Sequence, residues 1–198
     1  LAAKNFLERY GLKIIDYREN NIQNGSVIFI CNKKDSNKFP TQIRKIDFAI
    51  NEEKALGLYN GNWAKNLKDY ISTSKIKVQE ILFDIKKNNI EKIAAYGAAR
   101  SGPTLAIQFG LDNKISKIYD DHKLKCGKYS PFNNLYVDET VNLNPQESQY
   151  TVILAYIHFK VIIKKHIDYL KNGGNFILLW PEVVVVNKNN FTEILKHF

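Results

Sequence analysis

Methionine is absent from these 198 residues, and only two cysteines occur, Cys31 and Cys126. Two thiols are too few for a disulfide framework or a cysteine-only metal site. The expected setting is therefore reducing and cytoplasmic, with no metal held by this chain. Long apolar runs are also missing. The longest pieces, Thr151 to Tyr156 and Phe176 to Trp180, have the length of strands and not of a membrane span. The opening Leu1-Ala2-Ala3-Lys4 leads into an amphipathic pattern and not into the apolar centre of a secretion signal. A chain that opens on Leu1 and lacks methionine is expected to be a piece of a longer protein. The local signatures of nucleophilic or metal catalysis are missing as well: there is no G-x-S-x-G, no H-E-x-x-H and no C-x-x-C. Positive charge, by contrast, is plentiful, at a formal +9. Lys and Asn are scattered along the whole chain, and the aromatic residues do not interleave with a basic run. Nucleic acid is thus not the expected partner. The charge reads as a solvated surface with a mild attraction for anionic ligands.

The length suits one large domain, or one domain plus an appendage. Ala2 to Tyr10 reads as a helix stopped by Gly11. Leu12 to Tyr17 and Val27 to Cys31 read as strands, separated by a polar loop at Asn20 to Asn24. Two strands alone are marginal in water, so this segment looks like the end of a domain that needs a partner. Asn32 to Thr41 reads as a linker. A long helical stretch from about Asn51 to Asn88 carries Leu56, Tyr59, Trp63, Leu67, Tyr70 and Ile71 at steps of three and four, continued by Val78, Ile81, Leu82 and Ile85. That stripe is read as core-facing, with Gly57, Gly61 and Ser72-Thr73-Ser74 as candidate breaks.

Beyond it the pattern alternates strand and helix. Strands are expected at Ile93 to Tyr96, Ile115 to Tyr119, near Leu135-Tyr136-Val137, at Thr151 to Ala155, Phe176 to Trp180 and Val183 to Val186. Helices are expected from Pro103 and through Val161 to Leu170, the latter ended by Gly173-Gly174. This predicts an α/β, Rossmann-like fold: a mostly parallel sheet with helices on both faces, preceded by a long connecting helix and a strand pair. The expected division is residues 1–50, closing strands of an upstream domain plus linker, and residues 51–198, the Rossmann-like domain with its connecting helix.

The turn Gly97-Ala98-Ala99-Arg100-Ser101-Gly102 joins the first of these strands to its helix, and the next strand ends in the acids Asp120 and Asp121. Strand, tight turn, helix and acid-tipped strand form the unit that binds nucleotides in open α/β sheets. Turn amides and the helix dipole attract phosphate there, and Asp120 is placed to accept a ribose hydroxyl. Ala99 occupies the position where G-x-G-x-x-G requires glycine, which weighs against a dinucleotide. Arg100 and Lys128 are candidate phosphate contacts, or ordinary surface cations. Tyr129 and Phe159 are candidate stacking platforms, or packed aromatics. His122 and His158 follow strands and are candidate cleft residues, or polar caps; His166, on a Lys-rich helix, and His197 read as solvated.

These residues resemble the C-terminal part of the SAM-dependent C-methyltransferases that act on nucleotide-linked deoxysugars. Tyr96-Gly97-Ala98 and Gly102-Pro103-Thr104 match the family turn Y-G-A-x-x-K-G-N-T. Asp120, Lys125, Gly127, Tyr129 and Pro131 match its D-x-x-x-x-K-x-G-x-Y-x-P segment. Within Phe6 to Cys31, Tyr10-Gly11-Leu12 and Gly25-Ser26 resemble the closing strands of the methyltransferase domain. Glu52, Glu53, Gly57 and Leu58 resemble the start of the connecting helix, and Phe159-Lys160, Gly173-Gly174 and Pro181 fit later landmarks. Ser101 stands where the family usually has Lys, Pro103 where it has Asn, Phe132 where it has Gly, and Ile157-His158 where Trp-Asn is common.

The resemblance implies a zinc-binding domain and a SAM-binding domain upstream, so that SAM and zinc are expected there and methyl transfer is not expected from this chain alone. The parent would deprotonate a sugar carbon beside a keto group, and the carbanion would attack the SAM methyl. The implied partners are a nucleotide diphosphate sugar and the upstream domain of the same protein. The implied substrate contacts are Gly97, Ala98, Arg100, Ser101, Gly102, Thr104, Asp120, Lys125, Lys128, Tyr129 and Phe159. The only candidate for catalysis is His158. Two alternatives stand beside this reading: a non-catalytic nucleotide-sugar binding module, and an NAD-linked oxidoreductase.

Overall fold

The computed structural model describes residues 1–22, 25–90 and 92–198. Gln23 and Asn24, from the expected polar loop, lie outside the described residues. The chain divides into two compact units, Leu1–Asp69 and Tyr70–Phe198.

In the first unit, helix α1 (Ala2–Arg9) precedes an antiparallel hairpin of β1 (Leu12–Asn20) and β2 (Ser26–Lys33), bulged between Ile14 and Asp16. Helix α2 (Ile43–Ala55) follows. It starts well before the expected Asn51, in a segment rich in Lys, Arg and Asp but patterned with Ile43, Ile46 and Ile50. Asp16 is tied to Lys45 at 2.8 Å. The buried apolar residues of this unit are Ile14 and Ile15, while Phe6, Tyr10, Ile28 and Phe48 are exposed.

Helix α3 (Asn62–Lys87) contains the division between the units. Gly57 and Gly61, both at positive φ, end the helical run between α2 and α3, whereas Ser72-Thr73-Ser74 continues it. The expected core-facing stripe is only half core. Val78 and Ile85 are buried and Tyr70, Ile81 and Leu82 pack against them, but Leu56, Tyr59, Trp63 and Leu67 are exposed. Periodicity marks an apolar face; it does not say that a partner is present to cover it.

The second unit is built on a six-stranded sheet of β3 (Ile93–Tyr96), β4 (Ile115–Asp120), β5 (Val137–Glu139), β6 (Tyr150–Ile153), β7 (Asn175–Leu178) and β8 (Val184–Val186). The order is β5-β4-β3-β6-β7-β8, parallel throughout except for β8, which runs antiparallel to β7. Alternation along the strands fills two cores, one on each face. Ala95, Val152, Leu154 and Ile177 join Val78 and Ile85 of α3 and Ala106 of α4 (Gly102–Gln108). Ala94, Tyr96, Ile153 and Phe176 join Phe159, Ile162 and Ile163 of α5 (Phe159–Lys165) and Leu170 of α6 (Ile167–Lys171). The α/β class, the mostly parallel sheet, the long helix and the leading strand pair are therefore as the sequence predicts.

Two further elements differ from expectation. The helix through Val161 to Leu170 is broken at His166, whose φ of −115° and ψ of 36° separate α5 from α6. A last helix, α7 (Phe191–His197), brings Phe191, Ile194 and Leu195 against the second core.

Candidate functional site

The chain leaves β3 to form β4 and β5 on one side, then returns to place β6 and β7 on the other. Such a reversal opens a crevice at the carboxyl ends of the strands. Here a cleft of about 510 Å³ lies at those ends, with Tyr96 and Gly97 at the end of β3, Asp120 and Asp121 at the end of β4, and Ala155 and His158 beyond β6.

The turn after β3 is shaped by packing. Gly97 has φ +98°, and a Cβ there would stand 2.5 Å from Ala155 Cβ and 3.0 Å from Ala155 N. The Gly102 Cα faces Leu154, 3.4 Å from where a Cβ would be. Gly97 thus lets the turn close onto the segment that follows β6, whereas a Cβ at Gly102 would make only ordinary contact with Leu154. Helix α4 has only seven residues, with Pro103 in its first turn. The expected helix-dipole contribution to phosphate binding is correspondingly small. What remains are loop amides: among the hydrogen bonds of the described residues, the N–H groups of Ala99, Arg100 and Ser101 have no acceptor.

Asp120 differs from its expected role. Its carboxylate accepts the N–H of Ala98 at 2.7 Å and Lys125 Nζ at 3.1 Å on Oδ2, and the N–H of His122 at 2.7 Å on Oδ1. Three of about four acceptor positions are filled, and the side chain is 9% exposed. Asp120 ties the β3 turn to the β4 loop, which leaves it poorly placed to receive a ribose hydroxyl.

The other expected site residues separate. Gly97, Asp120, Lys125 and His158 line the cleft. Ala98 is anchored to Asp120, Gly102 is buried, and Arg100, Ser101 and Thr104 are exposed around the turn. Lys128 and Tyr129 are exposed on a loop that pairs with the approach to β5: Val137 N–H donates to Lys128 O at 2.9 Å, and the Tyr129 and Tyr136 rings lie 5.7 Å apart. Phe159 is a core residue, buried and edge-on to Phe198, so the expected stacking platform is absent there. His122 and His158 are both exposed, at the cleft.

One constellation was not legible. Tyr96 Oη donates to Asp121 Oδ2 at 2.8 Å and lies 3.1 Å from His166 Nε2. The phenol has a single proton, given to the carboxylate, so Nε2 of His166 is the donor in the second bond. Thr140 Oγ1 donates to Asp121 Oδ1 at 2.6 Å, and Lys165 pairs with the same oxygen. His166, expected to be solvated, is half-buried because the α5–α6 break turns it toward Tyr96.

Burial opposes the charge on Asp121, but hydrogen bonds from Lys165, Thr140 and Tyr96 outweigh it and hold the carboxyl at about 2. Burial, reinforced by the Lys165 charge, lowers His166. Both groups are thus harder to protonate folded than unfolded. Their stabilisation is present above their unfolded values and is lost as the pH falls, His166 below 6.5 and Asp121 from 3.8 down toward about 2. The melting temperature of Asp121→Asn should accordingly fall less steeply than that of the parent chain between pH 4 and pH 2. Equal slopes would mean that the network does not hold the charge. At neutral pH Asp121 is an ionised hydrogen-bond acceptor and a poor proton acceptor. The cleft therefore combines amide donors, cations and fixed acceptors, a composition suited to binding a polar anionic ligand.

No helix among the described residues is long and apolar enough to cross a membrane. Compared with known proteins, residues 21–181 match the family described as C-methyltransferase C-terminal domain. The C-methyltransferase NovU of Streptomyces niveus is 22% identical over 182 residues, which cover 91% of this chain and 42% of that relative. The chain thus spans less than half the length of the curated relative it matches.

Proposed function

The chain belongs to the family of C-methyltransferase C-terminal domains, and from that premise we propose that it is the C-terminal part of a SAM-dependent C-methyltransferase acting on a nucleotide-linked keto-deoxysugar in the cytoplasm, where it binds the substrate. Residues 1–50 close an upstream methyltransferase domain, and residues 51–198 form the substrate-binding domain. The observation that carries the reading is the cleft at the strand reversal, flanked by the amides of Ala99 to Ser101, which have no acceptor among the described residues. Those amides, with Arg100 and Lys125, receive the diphosphate; charge-assisted contacts of this kind are the strong ones. The polar wall of Asp121 and His158 faces the attached sugar.

The same residues fit SAM and NAD poorly. Either cofactor would present a ribose to the tip of β4, where Asp120 is already tied to Ala98, His122 and Lys125. SAM, the zinc site and the proton-abstracting group therefore belong upstream, and no step of methyl transfer is assigned to this chain.

A thermal-shift comparison of TDP, a TDP-sugar, SAM and NADH tests this. A ligand at a hundred times its dissociation constant stabilises by about 2.7 kcal/mol. TDP and the TDP-sugar should raise the melting temperature, and SAM and NADH should leave it unchanged. A shift with NADH alone would replace the reading with an oxidoreductase. A TDP-sugar shift in a longer protein that transfers no methyl group would favour the non-catalytic binding module.

A further inference from the structure

A nucleotide-linked sugar has two arms that leave its diphosphate in opposite directions. With the diphosphate on the amides of Ala99 to Ser101, the cleft beside Val161 and Ile162 takes one arm, on the α5 side of the sheet. The other arm runs along the carboxyl edge toward the α3 side. The exposed aromatic residues differ in where they stand relative to that edge. Tyr129 pairs with Tyr136, and the next residue, Val137, is level with Ile118, so both tyrosines lie back from the edge. Trp180 instead stands beyond the end of β7. Tyr96 pairs with Ile153 and Val152 with Ile177, so Leu178 is level with Tyr96, and Trp180, two residues on, is level with the turn at Ala98. Only β6 separates β3 from β7, which sets their ends about 10 Å apart. One nucleoside spans that gap.

Trp180 is 45% exposed, yet its surroundings are built. Tyr70 of α3 lies across it, with ring centroids 5.4 Å apart and planes at 73°. Tyr70 Oη donates to Leu179 O at 3.0 Å and stands 3.3 Å from Pro181 O, the carbonyls on either side of Trp180. The indole is thus oriented by a fixed neighbour while much of its surface meets water. A large apolar ring left in water forgoes the stabilisation of burial, and a flat partner would restore it. Every nucleobase offers such a face, and a ring already oriented loses little freedom on binding. Resting on the reading that the cleft holds a nucleotide-linked sugar, we propose that Trp180 is the stacking platform for the base of that ligand, with the diphosphate on the β3 turn between base and sugar. Stacking reads the face of a base and not its edge, so this contact anchors the nucleoside without choosing among bases.

The test compares TDP, UDP and inorganic pyrophosphate by calorimetry on the parent chain, Trp180→Ala and Trp180→Phe. Trp180→Ala should weaken TDP and UDP alike by roughly ten- to a hundredfold, the loss of one base–aromatic stack, and leave pyrophosphate binding unchanged. Trp180→Phe keeps an aromatic face and should recover most of the loss. The readout is the ratio of nucleotide to pyrophosphate affinity on one variant, so partial unfolding lowers both and leaves the ratio in place. Fluorescence supplies a second measurement with the platform intact, because Trp63→Phe leaves Trp180 as the one tryptophan of the chain. TDP should quench its emission, and pyrophosphate should not. Nucleotide binding that leaves the Trp180 emission unchanged, or a ratio that survives in Trp180→Ala, overturns the proposal and leaves the function reading standing. No binding of either nucleotide by the parent chain overturns both.

Discussion

Gly97→Val should unfold the Tyr70–Phe198 unit at ordinary temperature or leave it barely stable. Two penalties coincide at this position. The backbone sits at φ +98°, where a β-branched residue is strained by about 1–3 kcal/mol. The new Cβ would also meet Ala155 Cβ at 2.5 Å and the Ala155 backbone nitrogen at 3.0 Å. Overpacking of a closed site adds about 1–3 kcal/mol. A total of about 4 kcal/mol is a large fraction of the stability of a domain. Gly127→Ala provides the contrast. Gly127 also has positive φ, at +75°, but no atom lies within 4 Å of the position its new methyl group would take. That change should cost only the backbone term of about 1–2 kcal/mol. Urea titration of both variants measures the difference, and comparable losses would show that crowding at Ala155 is not the deciding factor.

Asp120→Ala should destabilise the same unit by about 2–3 kcal/mol, the cost of leaving the Ala98 amide unpaired and weakening its neighbours. In a domain of this size that corresponds to a fall of roughly 5–10 °C in melting temperature. Ala98 N–H lies in a half-buried turn and has no other acceptor among the described residues, whereas water can replace the carboxylate at the exposed His122. Most of the loss therefore belongs to the β3 turn. Lys125→Met, which removes the exposed cation and leaves both amide bonds, should cost well under about 1 kcal/mol, in line with exposed ion pairs. Equal effects from the two substitutions would contradict the division of labour drawn for Asp120.

The strand pattern was legible because it rests on local alternation and on glycine punctuation: Ile93 to Tyr96, the turn that follows and the acid-tipped β4 all stand where period and breaker residues place them. The site was legible only in outline. Whether Asp120 serves a ligand or its own backbone depends on where the amides of Ala98 and His122 point, and no spacing encodes that. Phe159 follows β6 as a rim residue would, but Phe198, distant in sequence, claims it for the core. The Tyr96–Asp121–His166 connection joins residues up to 70 positions apart through a helix break that carries neither glycine nor proline. By contrast, α7 was readable in principle: Phe191, Ile194, Leu195 and Phe198 fall at i, i+3, i+4 and i+7. The short polar run Asn187 to Asn190 before them concealed that pattern.

The two sheets end in different ways, and this bears on how the chain behaves when concentrated. The six-stranded sheet is closed off by β5 and β8, each only three residues long, so neither border offers much backbone for another molecule to pair with. The hairpin consists of nine- and eight-residue strands; the free side of β1 accepts the Gln42 N–H at Ile15 O and Lys45 at Tyr17 O, whereas among the described residues no strand pairs with the free side of β2, which carries exposed Val27, Ile28 and Phe29. Self-association of this chain into ordered aggregates should therefore start at β2. Ile28→Lys, which sets a charge on that border as natural sheet edges do, is the change that should suppress it.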